Sequence, residues 1–306
     1  MTETGEALRV EAFAKVNRSL RVLGKRPDGY HELDTIFQTV DLTDRIDFSE
    51  GEEGSRDVSL TIEGADLPED GSNLVLRAAA LLRERFGPRR GIRIHLSKKI
   101  PVGGGLGGGS SNAAATLRAL TSLWGLPATN SDLHSLAAAL GSDVPFFLVG
   151  GRARGTGRGE ILHPLPDGPE EWLVLVFPPF SLSTAEVYGA LCAPALTDPA
   201  AHTNLRGSDS GGGPDRNDLE PAAESLRGGL KRFRAALSDH GATIARLSGS
   251  GSTVFGVFGD EENARRAFEG LAGLREETMA MMTIVKTVPR AVFARRAMPS
   301  TMGQRG

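Results

Sequence analysis

Between Pro101 and Ser111 the chain reads Pro101-Val102-Gly103-Gly104-Gly105-Leu106-Gly107-Gly108-Gly109-Ser110-Ser111, and Asn112-Ala113-Ala114-Ala115 follows at once. Six glycines fall in seven positions, and a strongly helix-forming run begins where they stop. Glycine tolerates positive φ and lets a ligand approach the backbone, so such a stretch can turn several N–H groups toward one anion. The helix that follows adds unpaired N–H groups and the positive end of its dipole. Loop and helix start together form a phosphate cradle. The bland alternative is a flexible linker or a glycine-rich packing turn, but a linker has no reason to pass unbroken into an alanine-rich helix.

Three phosphate-loop templates compete for this stretch. The Walker A pattern needs a lysine after its last glycine, and Ser110 stands there. The dinucleotide pattern G-x-G-x-x-G matches at Gly103, Gly105 and Gly108, but a run this dense in glycine matches almost automatically. That template also requires a second strand after the helix. Here the helix runs to Trp124, breaks at Gly125-Leu126-Pro127, and a second helix starts at Asn130-Ser131-Asp132. The nicotinamide-dependent oxidoreductase reading is weakened accordingly. The third template is a Pro-x-Gly-Gly-Gly-Leu-Gly-Gly-Gly-Ser-Ser loop, which Pro101 to Ser111 match.

Composition narrows the class. The chain has 306 residues, enough for two domains. Its 35 basic and 38 acidic residues leave a net charge of −3, with no field suited to nucleic acid or an anionic membrane. Met1 to Leu8 is polar and acidic, unlike a secretory signal, and no apolar run approaches membrane-spanning length. The single Cys192 allows neither an internal disulfide nor a thiolate metal site. A cytoplasmic enzyme is the expected class.

Periodicity predicts α+β structure in each half. Leu8 to Val22 alternates as a strand, and Pro27-Asp28-Gly29 is turn chemistry. Strands are expected over Asp34–Leu42, Asp44–Phe48, Val58–Glu63 and Ile92–Leu96, the last feeding the glycine loop. Helices are expected over Asn73–Phe86, Ser111–Leu123 and Ser131–Leu140. In the second half, Trp172–Phe177 reads as a buried strand and Pro221–Asp239 as helix. Ala245–Leu247 and Thr253–Phe258 flank a tight Ser248-Gly249-Ser250-Gly251-Ser252 turn. Glu261–Leu271 reads as helix and Thr283–Phe293 as strand. The stretch from 196 to 215 is loop-like, and the tail from Arg295 is expected to fray. A division near Gly150–Gly159 gives an ATP-binding domain over 1–156, a substrate-side domain over 157–294 and a disordered tail over 295–306.

Two further clusters carry possible chemistry. On a strand, Lys15 and Asn17 share one face, which in isolation fits a solvated surface as well as a site. Asp143, at the end of an apolar helix and ahead of Val144-Pro145-Phe146, fits a turn cap as well as a partly buried base. A kinase for a small alcohol must bring γ-phosphate, hydroxyl, base and cation together, and these residues supply the base and the cation.

The Pro-x-Gly-Gly-Gly-Leu-Gly-Gly-Gly-Ser-Ser loop resembles that of the small-molecule kinases that include galactokinase, homoserine kinase, mevalonate kinase and phosphomevalonate kinase. Within them, Ala14-Lys15-Val16-Asn17 and Gly24-Lys25-Arg26-Pro27-Asp28-Gly29-Tyr30-His31-Glu32-Leu33 resemble the branch acting on a cytidine diphosphate-linked methylerythritol in the non-mevalonate isoprenoid route. Asp143-Val144-Pro145, Gly157-Arg158-Gly159-Glu160, Asn217-Asp218-Leu219-Glu220 and Gly249-Ser250-Gly251-Ser252 extend the match.

The resemblance implies an α+β, two-domain small-molecule kinase fold with the active site in the cleft between domains. It implies ATP with Mg²⁺ as cofactors, phosphorylation of an alcohol, and neither nucleic acid nor membrane as a partner. Lys15 and Asp143 fall on the family's catalytic pair, and Pro101 to Ser111 on its ATP loop, with Asn73 near the adenosine. Tyr30 and His31 fall where cytosine is held by stacking and by a hydrogen bond, and Tyr188 aligns with an aromatic on the other side of that base. Asn17 and Thr184 fall near the substrate's polar groups, and Gly249, Ser250 and Gly251 form a supporting loop. No protein ligand for the metal is implied. Arg18, where the family usually has an apolar or small residue, is expected to point away from Lys15. A related kinase with a different alcohol acceptor remains the alternative.

Overall fold

The computed structural model describes residues 7–52, 54–87, 89–191 and 216–301. Cys192, the 196–215 stretch and the last five residues of the expected tail lie outside them. The first half is organised by a long antiparallel hairpin, β1 (Leu8–Lys25) with β2 (His31–Glu50). It turns at Pro27-Asp28-Gly29, where Gly29 sits at φ 86° and Arg26 closes the loop by donating its N–H to the Tyr30 carbonyl. The two strands expected over 34–48 are one, because a register shift opposite Phe13 and Ala14 takes Asp41 and Leu42 out of the ladder without ending the strand.

One edge of β2 is shared. Its start pairs with β5 (Arg152–Gly157), which pairs in turn with β6 (Ile161–Pro164). Its end pairs with β4 (Ile92–Ser97), and β3 (Val58–Glu63) adds to β4 in parallel. Four helices cover this sheet's core: α1 (Leu74–Phe86), α2 (Gly108–Leu123), α3 (Asn130–Leu140) and the short α4 (Phe146–Val149). A second antiparallel sheet runs in the order β10 (Met281–Lys286), β7 (Trp172–Phe177), β9 (Val254–Phe258) and β8 (Ile244–Leu247). Against it pack α5 (Thr184–Ala190), α6 (Glu220–Leu226), α7 (Gly229–Asp239), α8 (Glu261–Gly270) and α9 (Ala272–Thr278). The helix expected over 221–239 is two, broken at Arg227-Gly228. No helix among the described residues is long and apolar enough to cross a membrane.

The two sheets share a core. Ala14 and Val16 of β1 pack with Ile100 and Leu106 before and within the glycine loop, and with Leu173, Leu175, Phe255 and Val257 of the second sheet. Strand alternation therefore puts Ala14 and Val16 into the seam between the halves and Lys15 and Asn17 on the other face. Arg18, buried three residues after Lys15, pairs with Glu171 of the second half.

The reading of the chain after Gly150 needs three corrections. The expected strand over 283–293 stops at Lys286, since Pro289 has no N–H for the ladder, and α10 (Arg290–Arg296) follows. The apolar residues there are helical because Phe293 fills a site against Gly150 and Phe13, with ring centroids of Phe13 and Phe293 5.4 Å apart. Loss of so buried a ring costs about 3–5 kcal/mol in comparable cores. The tail does not fray from Arg295: α10 reaches Arg296, and β11 (Ser300–Thr301) pairs with Leu8 and Arg9 of β1. The hairpin β5–β6, not anticipated in a glycine- and arginine-rich stretch, keeps Ile161–Pro164 on the first sheet.

Candidate active site

The glycine loop is held open by its own backbone. Gly103, Gly105 and Gly107 all take left-handed φ, near 70–75°, and Gly107 is the N-cap of α2. The helix starts at Gly108, three residues before the sequence predicts, so two of the six glycines form its first turn. That turn leaves backbone N–H groups without intrahelical partners. A cavity of about 380 Å³ lies over the loop, lined by Pro101 to Ser110 together with Pro68, Asn73, Lys98 and Asn112. Asn73 lines it while capping α1: its Oδ1 accepts from the Val75 N–H at 3.0 Å, and its Nδ2 donates to the Pro68 carbonyl at 2.8 Å. Ser111 is buried in the first turn of α2.

A second glycine turn backs the first. Ser248 Oγ donates to the Gly105 carbonyl at 2.9 Å, and the Thr253 N–H donates to the Gly104 carbonyl at 3.2 Å. The fit excludes side chains: a Cβ on Gly105 would stand 2.1 Å from the Ser248 carbonyl oxygen. Ser250 shares a 2.9 Å hydrogen bond with Thr184 at the start of α5. Asn217 holds this turn by donating to the Leu247 and Gly249 carbonyls at 2.9 and 2.7 Å, and Glu220 accepts the Leu247 N–H at 2.8 Å. Burial pushes the Glu220 carboxyl up, against the pull of that N–H and of Arg234.

Lys15 sits where the two turns and β1 meet. Its ammonium is only 3% exposed; it donates to Asn17 Oδ1 at 2.6 Å and to the Gly105 carbonyl at 2.8 Å. Its third direction faces Asp143 Oδ2 at 3.4 Å. Asn17 is fixed in turn by donating to Thr35 Oγ1 at 2.8 Å, which donates to the Ser19 carbonyl at 2.7 Å. Asp143, in the turn between α3 and α4, keeps 36% of its side chain exposed. The arrangement is a buried cation facing a solvent-reached carboxylate at the lip of an anion cradle. A cation so placed favours the ionised carboxylate and any negative charge developing beside it.

The aromatic residues lie on the same rim. His31 and Tyr188 stack with centroids 4.8 Å apart and planes at 27°. Burial, with Lys25 adding to it, pulls the His31 imidazole below its ordinary value, so it is neutral near pH 7, with one nitrogen to donate and one to accept. Burial raises the Tyr188 phenol well above its usual range, and the Asp143 charge adds to this, which puts α5 within electrostatic reach of the carboxylate. Tyr30 is 54% exposed, with the Arg158 guanidinium 4.7 Å over its ring. The family resemblance implies Tyr188 on the other side of a base held by Tyr30 and His31; in this structure its ring stacks on His31 directly.

The structure thus brings Lys15, Asn17, Asp143 and both glycine turns into contact, with Thr184 one hydrogen bond away. The sequence reading missed a buried network beneath the cavity. Asp44, fully buried, accepts from the Lys99 and Ile100 N–H groups at 2.7 and 2.9 Å, from Asn112 Nδ2 at 2.9 Å, and from Lys98 Nζ. It fixes the chain on both sides of the loop. β2 carries several carboxylates, and the available signal at Asp44 was its place in alternation between Leu42 and Ile46.

Two family models match the chain: GHMP kinases N terminal domain over residues 73–151, and GHMP kinases C terminal over 201–274. The 4-diphosphocytidyl-2-C-methyl-D-erythritol kinase of Pelotomaculum thermopropionicum is 46% identical over 83% of this chain and 90% of its own length. That of Moorella thermoacetica is 43% identical over 91% of this chain and all of its own. A crystal structure of 4-(cytidine 5'-diphospho)-2C-methyl-D-erythritol kinase is 38% identical, with a TM-score of 0.71 over 90% of this chain and 98% of that one. Homoserine kinase from Cytophaga hutchinsonii, at 20% identity, shares the fold with a TM-score of 0.73 over 99% of both chains.

Proposed function

Since the chain belongs to the GHMP kinases, in the branch of the 4-diphosphocytidyl-2-C-methyl-D-erythritol kinases, we infer that it transfers the γ-phosphoryl group of ATP to the 2-hydroxyl of 4-diphosphocytidyl-2-C-methyl-D-erythritol, a step of non-mevalonate isoprenoid synthesis in the cytoplasm. The observation that carries this is Lys15, whose one ammonium bonds the glycine loop through the Gly105 carbonyl and faces Asp143.

The chemistry follows from positions. Phosphoryl transfer is governed by alignment and electrostatics more than by covalent help. The glycine loop and the first turn of α2 hold the triphosphate by backbone N–H groups, where a Cβ at Gly104, Gly105, Gly107 or Gly108 would crowd the cradle or its supports. Asp143 accepts the proton of the acceptor hydroxyl as its oxygen bonds the γ-phosphorus and the bond to the bridging oxygen of ADP breaks. Lys15 balances the negative charge that gathers there. Such a base contributes about 10²–10⁴ in rate. His31 reads the cytosine edge as a neutral imidazole, and Tyr30 offers a flat face. Among the described residues no group of three His, Cys, Asp or Glu side chains stands close enough to hold a metal. A magnesium ion would accompany the triphosphate and neutralise part of its charge.

A coupled assay of ADP release tests the assignment. The cytidine diphosphate-linked alcohol is expected to be phosphorylated, with free methylerythritol phosphate turned over at least about tenfold less efficiently for want of the base. Equal turnover of the two would make the acceptor a different small alcohol.

A further inference from the structure

Arg158 stands out in the charge inventory of the acceptor rim. Arg26 and Arg154 there are held by side-chain hydrogen bonds to carboxylates, Arg26 to Asp28 and Glu32 and Arg154 to both oxygens of Asp34. Lys15 is enclosed within the catalytic cluster. Lys25 is exposed and, among the described residues, has no aromatic platform. The Arg158 guanidinium lies on the Tyr30 ring, 4.7 Å from its centroid, and meets one carboxylate oxygen, Glu160 Oε1, at 3.5 Å from its Nε. Glu160 is itself anchored to this turn, since its Oε2 accepts the Arg158 backbone N–H at 2.6 Å. A guanidinium has five N–H donors in a fixed fork, and the contact with Glu160 is made at Nε.

The position is built rather than incidental. Arg158 follows Gly157, which sits at φ 71° with Glu160 close against it. The Gly157 N–H donates to Glu32 Oε1 at 3.2 Å, and Gly157 pairs with Leu33 in the ladder between β2 and β5. The turn that carries Arg158 is therefore fastened to the strand that begins with His31, one residue after Tyr30.

We propose that Arg158 is a specificity-determining residue that recognises the anionic diphosphate joined to a nucleoside whose base lies on the Tyr30–His31 rim. The inference rests on the cytidine reading above and adds the group that reads the linker. A cation parked on an aromatic face is weakly solvated and positioned, and guanidinium forks match phosphate oxygens in geometry. A ligand that carries a flat base and a diphosphate suits a ring and a fork placed side by side.

The test measures affinities with the ATP cavity filled by a non-hydrolysable ATP analogue, so that the added nucleotide reports on the rim alone. Wild-type protein and the Arg158→Gln and Arg158→Lys variants are titrated calorimetrically with CDP and with cytidine. Expected is a loss of about tenfold in CDP affinity for Arg158→Gln, with cytidine changed less than about twofold and CDP partly restored in Arg158→Lys. Unchanged CDP affinity in Arg158→Gln, or an equal loss for CDP and cytidine, would overturn the proposal, the second by reducing Arg158 to a support for Tyr30. Wild-type protein that binds neither ligand would instead sink the cytidine reading itself.

Discussion

The two sides of this site are made of different material. The phosphate side is backbone: three left-handed glycines, a helix start and a second glycine turn, locked by hydrogen bonds between main-chain atoms and by the buried Asp44, Lys98 and Asn112. The acceptor side is side chains on a hairpin turn and a short helix, and in the structure these satisfy one another, His31 against Tyr188 and Arg158 against Tyr30. On the proposed reading the backbone cradle would bind what every reaction of such a kinase shares, and little can change in it without collision. A rim of side chains can be altered residue by residue, and on the same reading the acceptor would be chosen there. Lys15 joins the two, with Gly105 on one side and Asp143 on the other.

Breaking the phosphate side should have the largest effect. Gly105→Ala puts a Cβ at φ 75° and 2.1 Å from the Ser248 carbonyl oxygen. The left-handed conformation alone costs roughly 1–2 kcal/mol for a residue with a Cβ, and the collision must push the two turns apart. ATP binding, measured calorimetrically on protein whose helical signal is intact, should fall at least about a hundredfold, since the cradle's N–H groups no longer converge. Unchanged affinity would show that the loop is not the cradle.

Damage on the acceptor side should be smaller and confined to the acceptor. Tyr30→Ala removes a stacking face worth about 1–3 kcal/mol in base–aromatic platforms. The acceptor KM should rise accordingly while the KM for ATP stays put. A parallel rise in both would erase the distinction between the sides.

The smallest expected effect is one of pH. His31 titrates below its ordinary value because its site favours the neutral ring. The acceptor KM should be flat above the usual histidine range and rise a few-fold as falling pH removes the accepting nitrogen. The sign for stability is the same. The folded chain takes up this proton less readily than the unfolded one, so the contribution is present above the unfolded value and is lost as pH falls. In His31→Gln the rise in KM should vanish.

This contrast also explains what could be read in the sequence. A cradle of glycines announces itself because few other purposes demand six glycines in seven positions followed by a helix. Lys15 and Asp143 are ordinary residues far apart in the chain, and before folding only their resemblance to a kinase family linked them. Asp44 went unnoticed because one carboxylate among several in a strand gives no sign that four donors will close around it. Near the C-terminus, apolar residues from Thr283 to Phe293 suit strand or helix equally, and Pro289 was the mark that divided them. Ser300 and Thr301 look like a loose end until β1 offers them an edge.

The central claim is that the two sides meet at a carboxylate that takes the hydroxyl proton. Asp143→Asn keeps the size of the group and removes its charge, and a single-turnover measurement with ATP and the cytidine diphosphate-linked alcohol isolates the transfer step. The predicted result is a rate about 10²–10⁴ lower with acceptor affinity little changed. Transfer at the wild-type rate would contradict the account and leave Lys15 to act alone on the phosphoryl group.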